Sequence, residues 1–327
     1  MKNNIKKIGV ITSGGDSPGM NSALRAVVRS CEYYNIECVA IRSGFKGLIK
    51  EDMVQMKARS VKHIINRGGT IIKTARSEEF RTTEGRKKAY EVIKKNEING
   101  LVIIGGDGSF TGGLKFFEEY GVLFIGVPGT IDNDIYGTDF TIGYDTALNT
   151  ALTCIDKIRD TATSHNRVFF IEVMGRDAGF IALNTGIASG AQDILIPEQK
   201  ESVQKLFFSL KNSQLRGKSS SIVIVSEGKE LGGVYELAKE TKKKFPNYDI
   251  RVTVLGHIQR GGNPTCADRV LASRLGLAAV EGLIKGYSTV MAGIQSGKIV
   301  YTSIDEAIRK HNDIDLELIK VAKILSI

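Results

Sequence analysis

Short apolar runs alternate with amphipathic stretches from one end of this chain to the other, and that alternation restricts the fold more than any other feature. Residues 8–12, 38–41, 101–104, 123–127, 168–173, 222–225 and 252–255 read as buried strands. Between them, apolar residues recur at helical spacing. Leu24, Val27, Val28 and Cys31 fall at i, i+3, i+4 and i+7, and Ala147, Ala151, Cys154, Ile155 and Ile158 follow a similar pattern. Parallel strands need a long crossover between them, usually a helix. Strand–helix alternation over 327 residues therefore predicts an α/β fold with mainly parallel sheets. In such folds ligands bind at the loops beyond the C-terminal ends of the strands. The length suits about two domains, and the most plausible change of character lies near Gly143, where a loop dense in Gly, Asp and Thr gives way to a long helix. The closing stretch 316–325 reads as an amphipathic helix.

Composition narrows the class. The chain is 42% apolar and 25% charged, as ordinary globular proteins are. No window approaches the roughly 18 continuous apolar residues of a membrane span. The basic start, Met1-Lys-Asn-Asn-Ile-Lys-Lys, runs into a short strand and a Gly turn rather than into a signal peptide, which predicts a cytoplasmic protein. Cys31, Cys38, Cys154 and Cys266 show neither CxxC spacing nor a nearby histidine cluster, which argues against a disulfide framework or a zinc site. The net charge of +9 admits anionic partners, but the lysines are scattered and lack the aromatic interleaving of a single-strand binder. Neither nucleic acid nor membrane is expected as a partner.

Three acidic or Gly-rich turns follow predicted strands. Thr12-Ser-Gly-Gly-Asp-Ser-Pro-Gly-Met-Asn21 runs from strand through turn to helix; glycines let backbone amides approach a phosphate, though alone the stretch reads equally as a tight turn. Leu101-Val-Ile-Ile-Gly-Gly-Asp-Gly-Ser109 adds a carboxylate, Asp107, to such a cradle. That suits a Mg-nucleotide, because Mg²⁺ takes one or two carboxylates and keeps its waters. There is no GxxxxGK[ST], so this is not a Walker loop. Val127-Pro-Gly-Thr-Ile-Asp-Asn-Asp134 carries two carboxylates, one able to act as general base on a hydroxyl and the other to assist. By itself that loop fits solvated Asx turns as well.

Cations complete the pattern. Arg76, Arg167, Arg176, Arg251 and Arg260 sit at strand ends or beside Gly turns, five positions that surface charge alone explains poorly. Arginine forks bind phosphate bidentately and stabilise charge during phosphoryl transfer.

In this order TSGGDSPGMN, GGDGS, PGTIDND, the MGR turn and GHIQRGG resemble the ATP-dependent 6-phosphofructokinases of bacteria, from about Ile8 to about Gly293. The resemblance implies two Rossmann-like three-layer α/β/α domains, with the chain crossing between them: 1–142 with 259–309 for ATP and Mg²⁺, and 143–258 with 310–327 for fructose 6-phosphate. It implies that Gly15, Arg76, Ser77 and Gly106-Asp107-Gly108-Ser109 hold ATP, with Asp107 on the metal. Asp132 would take the proton from the sugar 1-hydroxyl, supported by Thr130 and Asp134, beside Ile131. Arg176 would neutralise the transferring phosphoryl group. Met174, Gly175, Glu227, His257 and Arg260 would grip the sugar phosphate, and Arg167 and Arg251 would reach its 6-phosphate from a neighbouring subunit of a homotetramer.

Pyrophosphate-using members of that family usually carry Asp and Lys where this chain has Gly108 and Gly129, so the resemblance implies ATP as the donor. The resemblance also implies an effector site for ADP or phosphoenolpyruvate, at Arg25, Arg29, Arg59, Arg159, Gly190, Gln192, Arg216 and Lys218. Here the chain departs from the pattern: Gln192 replaces a metal-binding acid, Ser219 and Ser220 replace Lys and His, Ala58 replaces Arg, and His63 stands where Asp is common. Ser77 replaces an apolar neighbour of adenine. Two other readings compete: a pyrophosphate-dependent enzyme, and a sugar-phosphate-binding regulator that has no need of Asp132.

Overall fold

A computed structural model describes residues 5–164, 167–199, 202–216, 220–228 and 232–325. The chain divides into two compact units, Met1–Thr146 with Arg260–Asn312, and Ala147–Gln259 with Asp313–Ile327. Each cut falls one to four residues beyond the boundary expected from the sequence.

The first unit is built on a seven-stranded sheet of β1 (Lys7–Thr12), β2 (Glu37–Ile41), β3 (Met53–Met56), β4 (Gly100–Gly105), β5 (Phe124–Pro128), and, returning late in the chain, β10 (Val290–Gln295) and β11 (Lys298–Ser303). The order is β11-β10-β5-β4-β1-β2-β3. Strands β2, β1, β4, β5 and β10 are parallel, and antiparallel β3 and β11 close the two edges. Successive residues of β4 are buried throughout because both faces of the sheet are covered. One face packs the helices Met20–Tyr33 and Cys266–Ile284 over Val10, Val102 and Val127. The other sets Phe45, Phe80, Phe110 and Phe116 against Ile11, Ile103 and Phe124. After β1 the chain builds outwards to β2 and β3, then returns to the other side of β1 for β4. That reversal makes the C-terminal ends of β1 and β4 the switch point, where α/β sheets open a ligand crevice.

The second unit has, among the described residues, a parallel four-stranded sheet: β6 (Arg167–Val173), β7 (Asp193–Leu195), β8 (Ser221–Ser226) and β9 (Asp249–Val254), ordered β7-β8-β6-β9. Val168, Phe170, Val223 and Val225 face a core completed by Leu206, Leu210, Val234 and Leu237 from two helices, while Ile171 and Ile224 are buried on the opposite face. Here the order reverses between β6 and β9.

The architecture is the expected α/β fold with mainly parallel sheets. Four strands escape the sequence reading. The edges β3, β7 and β11 are short or interrupted by polar residues, and β10 (VMAGIQ) carries a weak apolar run. Strand β9 begins at Asp249, not at 252, because an edge strand tolerates alternating polar residues. The helix Leu316–Leu325 forms as expected, yet none of its residues is fully buried. The four cysteines are free thiols.

The long helix Tyr144–Ser164 starts where the composition changes, and its first turn is tied to the helix Cys266–Ile284. Asp268, 1% exposed, accepts from Gly143 N (2.8 Å), Thr146 N (2.8 Å) and Thr146 Oγ1 (2.5 Å). Asp268→Ala strands three buried donors, so it is expected to lower unfolding stability by about 3 kcal/mol. Denaturant melts of the variant check this, and a loss under about 1 kcal/mol would contradict it.

Candidate active site

The switch point of the first unit carries two of the motifs. Beyond β1, Ser13 N donates to Ile104 O at 3.0 Å, holding the start of the Gly turn against the end of β4. Gly105 is required there: a Cβ would stand 2.4 Å from Ser13 O and 2.6 Å from Ser109 Oγ. Gly106 then begins the helix Asp107–Tyr120 with no side-chain cap, and the dipole at this helix end favours an anion. A Cβ on Gly108 meets nothing within 4 Å, so the absence of a side chain there leaves space rather than relieving a clash.

Asp107 stands half-buried in that first turn. Among the described residues no group of three His, Cys, Asp or Glu side chains is placed to enclose a metal ion. A hard cation shared with a nucleotide needs no such cage, because phosphate oxygens and water fill most of its sphere. One carboxylate in the first turn of a helix fits that arrangement, and Asp107 would supply it.

Strand β5 lies next to β4, and this adjacency brings in the third motif. Gly129 N donates to Gly105 O at 3.0 Å, continuing the ladder from the last residue of β4 to the residue just past β5. The loop then turns on its own polar groups. Thr130 Oγ1 accepts from Asp132 N (3.2 Å) and donates to Asp132 Oδ2 (3.3 Å). Asp132 is 6% exposed. Asn133 takes a left-handed conformation, φ 56°, and its amide spans the loop: Oδ1 accepts from Thr141 N (2.8 Å) and Oγ1 (3.2 Å), and Nδ2 donates to Asp139 O (3.2 Å). Ile131 is fully buried beneath.

Other expected nucleotide contacts divide. Arg260 Nη1 donates to Asp16 O (3.1 Å), and a Cβ on Gly15 would lie 2.8 Å from that same nitrogen, so Gly15 and Arg260 are neighbours. Arg76 is exposed at the end of the 67–76 segment. Ser77 caps the short helix Glu78–Arg81 through Oγ, which accepts from Phe80 N at 3.2 Å. Asn21, buried at the start of the helix Met20–Tyr33, closes the first motif but has no role assigned to it from the sequence. It donates to Arg67 O (3.0 Å) and Gly68 O (3.1 Å) and accepts from Ile71 N (2.8 Å), fixing the segment that leads to Arg76.

In the second unit, Met174, Gly175 and Arg176 follow β6 at its switch point. Gly175 has φ 150° and its Cα hydrogen faces Ala178 O, where a Cβ would approach to 2.4 Å. Arg176 N donates to Glu227 Oε1 (3.0 Å), while Glu227 N donates to Val173 O (2.8 Å). Met174 N donates to Gln259 Oε1 (3.2 Å), a fully buried side chain inside the GHIQRGG motif that sequence reading passed over. Burial, with repulsion from Glu227 as a smaller cause, pushes the Glu172 carboxyl up. His257 is exposed on the following 3-10 turn. Arg167 and Arg251 are brought together by Asp249: Arg167 Nε lies 2.8 Å from its Oδ2 and Arg251 Nε 3.2 Å from its Oδ1. The Arg167 hydrogen bond first, and then Arg251, hold the Asp249 carboxyl below its ordinary value. An acid paired across neighbouring strands carries no signal in the sequence.

The expected effector residues fall in both units. Arg25 and Arg29 share one face of the helix Met20–Tyr33; burial, and then its like-charged neighbour Arg29, lower the Arg25 pKa. Arg59 is exposed on the nearby 3-10 turn Ala58–Val61. Arg159 donates to Ser189 O, Gly190 ends the helix Phe180–Ser189 in a left-handed turn, and Arg216 follows the helix Ser202–Leu215. Lys218 lies outside the described residues. Gln192 turns inwards: Nε2 donates to Ser209 Oγ (3.1 Å) and Ser213 Oγ (2.8 Å), and Oε1 accepts from Ser221 Oγ (2.5 Å). Its amide thus bonds to three of the protein's own hydroxyls.

Comparison with known proteins adds a second line. A family model described as Phosphofructokinase matches residues 7–283. An ATP-dependent 6-phosphofructokinase 2 of Bacteroides thetaiotaomicron is 53% identical over 323 residues, covering 99% of each chain. An ATP-dependent 6-phosphofructokinase 1 of Thermus thermophilus is 54% identical over 323 residues, 99% of this chain and all of the other. A phosphofructokinase structure from Saccharomyces cerevisiae superposes with a TM-score of 0.85 at 35% identity, over 93% of this chain and 45% of that one. A pyrophosphate-dependent phosphofructokinase of Marinobacter aquaeolei matches in fold alone, with a TM-score of 0.83 at 24% identity over 96% and 86% of the two chains.

Proposed function

From the premise that this chain belongs to the phosphofructokinase family, we propose that it moves the γ-phosphate of ATP onto the 1-hydroxyl of fructose 6-phosphate, giving fructose 1,6-bisphosphate and ADP, a step of glycolysis. The observation that carries the reading is the Gly129 N to Gly105 O hydrogen bond. It sets the Asp132 loop beside the Asp107 turn, so the proposed base and the proposed phosphate cradle would share one end of one sheet. Relatives at 53% and 54% identity bear names with ATP as donor.

Phosphoryl transfer asks a protein chiefly for positioning and charge stabilisation. The uncapped first turn of the helix Asp107–Tyr120 would receive ATP phosphates, with Gly106, Gly108 and Ser109 lining it, Gly15 and Arg76 contributing, and Ser77 acting through its helix cap. A divalent cation accompanies such a nucleotide; we take it to be Mg²⁺, held by Asp107, where it would neutralise phosphate charge. Asp132 would accept the 1-hydroxyl proton, oriented by Thr130 through the 3.3 Å bond, with Asp134 in support. Arg176, whose backbone is pinned by Glu227, would offset the charge on the transferring group. Met174, Gly175, Glu227, His257 and Arg260 would bind the sugar phosphate, and Arg167 and Arg251 its 6-phosphate within a homotetramer. The first unit would then be the nucleotide domain and the second the sugar domain.

No helix among the described residues is long and apolar enough to cross a membrane, and we place the enzyme in the cytoplasm. An effector, ADP or phosphoenolpyruvate, would meet Arg25, Arg29, Arg59 and Arg159, with Gln192 contributing no ligand atom. Assays of fructose 1,6-bisphosphate formation with ATP and with pyrophosphate as donors test the reading. Turnover with ATP alone is expected; turnover with pyrophosphate alone, or with neither, would overturn it.

A further inference from the structure

One side chain far from every motif reaches the chain that follows Asp132. Asn312 Nδ2 lies 2.9 Å from Ile135 O, 3.1 Å from Thr138 O and 3.4 Å from Asn133 O. Its backbone N–H donates to Asp134 O at 3.3 Å, and its neighbour His311 forms an antiparallel bridge with Ile135. Asn312 is the last residue of the first unit, roughly 180 positions beyond the loop it serves.

The segment 133–138 has no regular ladder to satisfy its carbonyls, apart from that single bridge. Buried carbonyls must find donors. The Asn133 amide binds the backbone of 139–141, but its own carbonyl and those of Asp134, Ile135 and Thr138 are met by Asn312. The two hydrogens of the amide serve Ile135 O and Thr138 O most closely, with Asn133 O at 3.4 Å sharing one of them; a carboxylate of the same shape would set negative charge against all three oxygens. The Asp107 turn is held by other bonds, Ser109 N to Gly106 O and Gly129 N to Gly105 O, both 3.0 Å.

We propose that Asn312 is a positioning residue for Asp132: by gathering these carbonyls it fixes the backbone after the base, and so the direction of the Asp132 carboxylate. This rests on the phosphotransfer reading above. A base displaced by about 1 Å loses on the order of 10²-fold in rate, so the effect belongs in kcat. The KM for ATP, set at the Asp107 turn, stays within about twofold because that turn keeps its own bonds.

The test compares wild type, Asn312→Asp and Asn312→Ser in kcat, in KM for ATP and fructose 6-phosphate, in thermal midpoint, and in amide hydrogen exchange. Asn312→Asp is expected to lower kcat by about 30- to 100-fold and to speed exchange within 133–141 alone. Asn312→Ser, which keeps one donor, should recover part of both. An unchanged kcat, or a loss that only tracks a lower midpoint with exchange raised across the whole unit, overturns the proposal. If wild type turns over with neither donor, the phosphotransfer reading falls separately. Exchange then decides for Asn312 alone, and unchanged protection of 133–141 in Asn312→Asp rejects it.

Discussion

Asp132→Ser is expected to lower kcat by about 10²–10⁴-fold, the usual cost of losing a positioned general base. The carboxylate is 6% exposed and held by Thr130 through both its backbone N–H and Oδ2. Serine is small enough to occupy the position, and it can still reach Thr130 Oγ1. The loop keeps Asn133, Thr141 and Asn312 as its supports, so the fold should survive. KM for ATP should change little, because the Asp107 turn does not depend on this side chain. Steady-state kinetics beside a thermal melt check the result. A variant that keeps a tenth or more of wild-type kcat would remove Asp132 from the role of base.

Gly108→Asp should be nearly as damaging to ATP turnover, for an electrostatic reason. A Cβ at 108 meets no atom within 4 Å, so the side chain is sterically accepted. It also falls in the first turn of the helix Asp107–Tyr120, where an acid is mildly favourable. Stability should therefore hold or rise slightly. The new carboxylate would, however, stand where nucleotide phosphate is proposed to bind. Two unit charges about 4 Å apart repel by about 4 kcal/mol at an effective dielectric near 20, which corresponds to a loss of about 10³-fold in kcat/KM for ATP. Activity with both donors and the melting temperature should be measured together. Unchanged ATP kinetics would show that no phosphate approaches position 108. A collapse of the melting temperature would assign the loss to folding instead. Gly129 is a different case: a Cβ there would sit 3.2 Å from Ile104 Cγ2 and 3.3 Å from Met20 Cε, so a lysine requires local repacking.

Much of the candidate site was legible in the sequence because each motif is local. Gly105-Gly106-Asp107 reads as strand, turn and carboxylate within a few residues, and the buried run before it needs no distant partner to be recognised as a strand. The residues that were missed act across the chain. Asn21, Asp249, Gln259 and Asn312 each bond to backbone or side chains through single polar groups, and such contacts leave no periodicity. The partners of Gln192 were hidden for the same reason: Ser209, Ser213 and Ser221 come from a helix and a strand that only folding brings around it.

By itself the sequence determined the class of fold and the order of its pieces. Alternating strand and helix periods dictate which faces must be buried, and burial is a property each segment carries wherever it goes. Glycines and acids placed just past strand ends likewise admit a phosphate chemistry, which only the order of the motifs, through the family resemblance, made specific. Tertiary structure alone decided which of these pieces meet. Placing β4 between β1 and β5 set the Asp107 turn beside the Asp132 loop, through the Gly129 N to Gly105 O bond. It also delivered Asn312 to carbonyls some 180 residues earlier in the chain. Strand neighbours and polar tethers depend on the packing of the whole unit, and the free energy of that packing is not divided among local stretches of sequence.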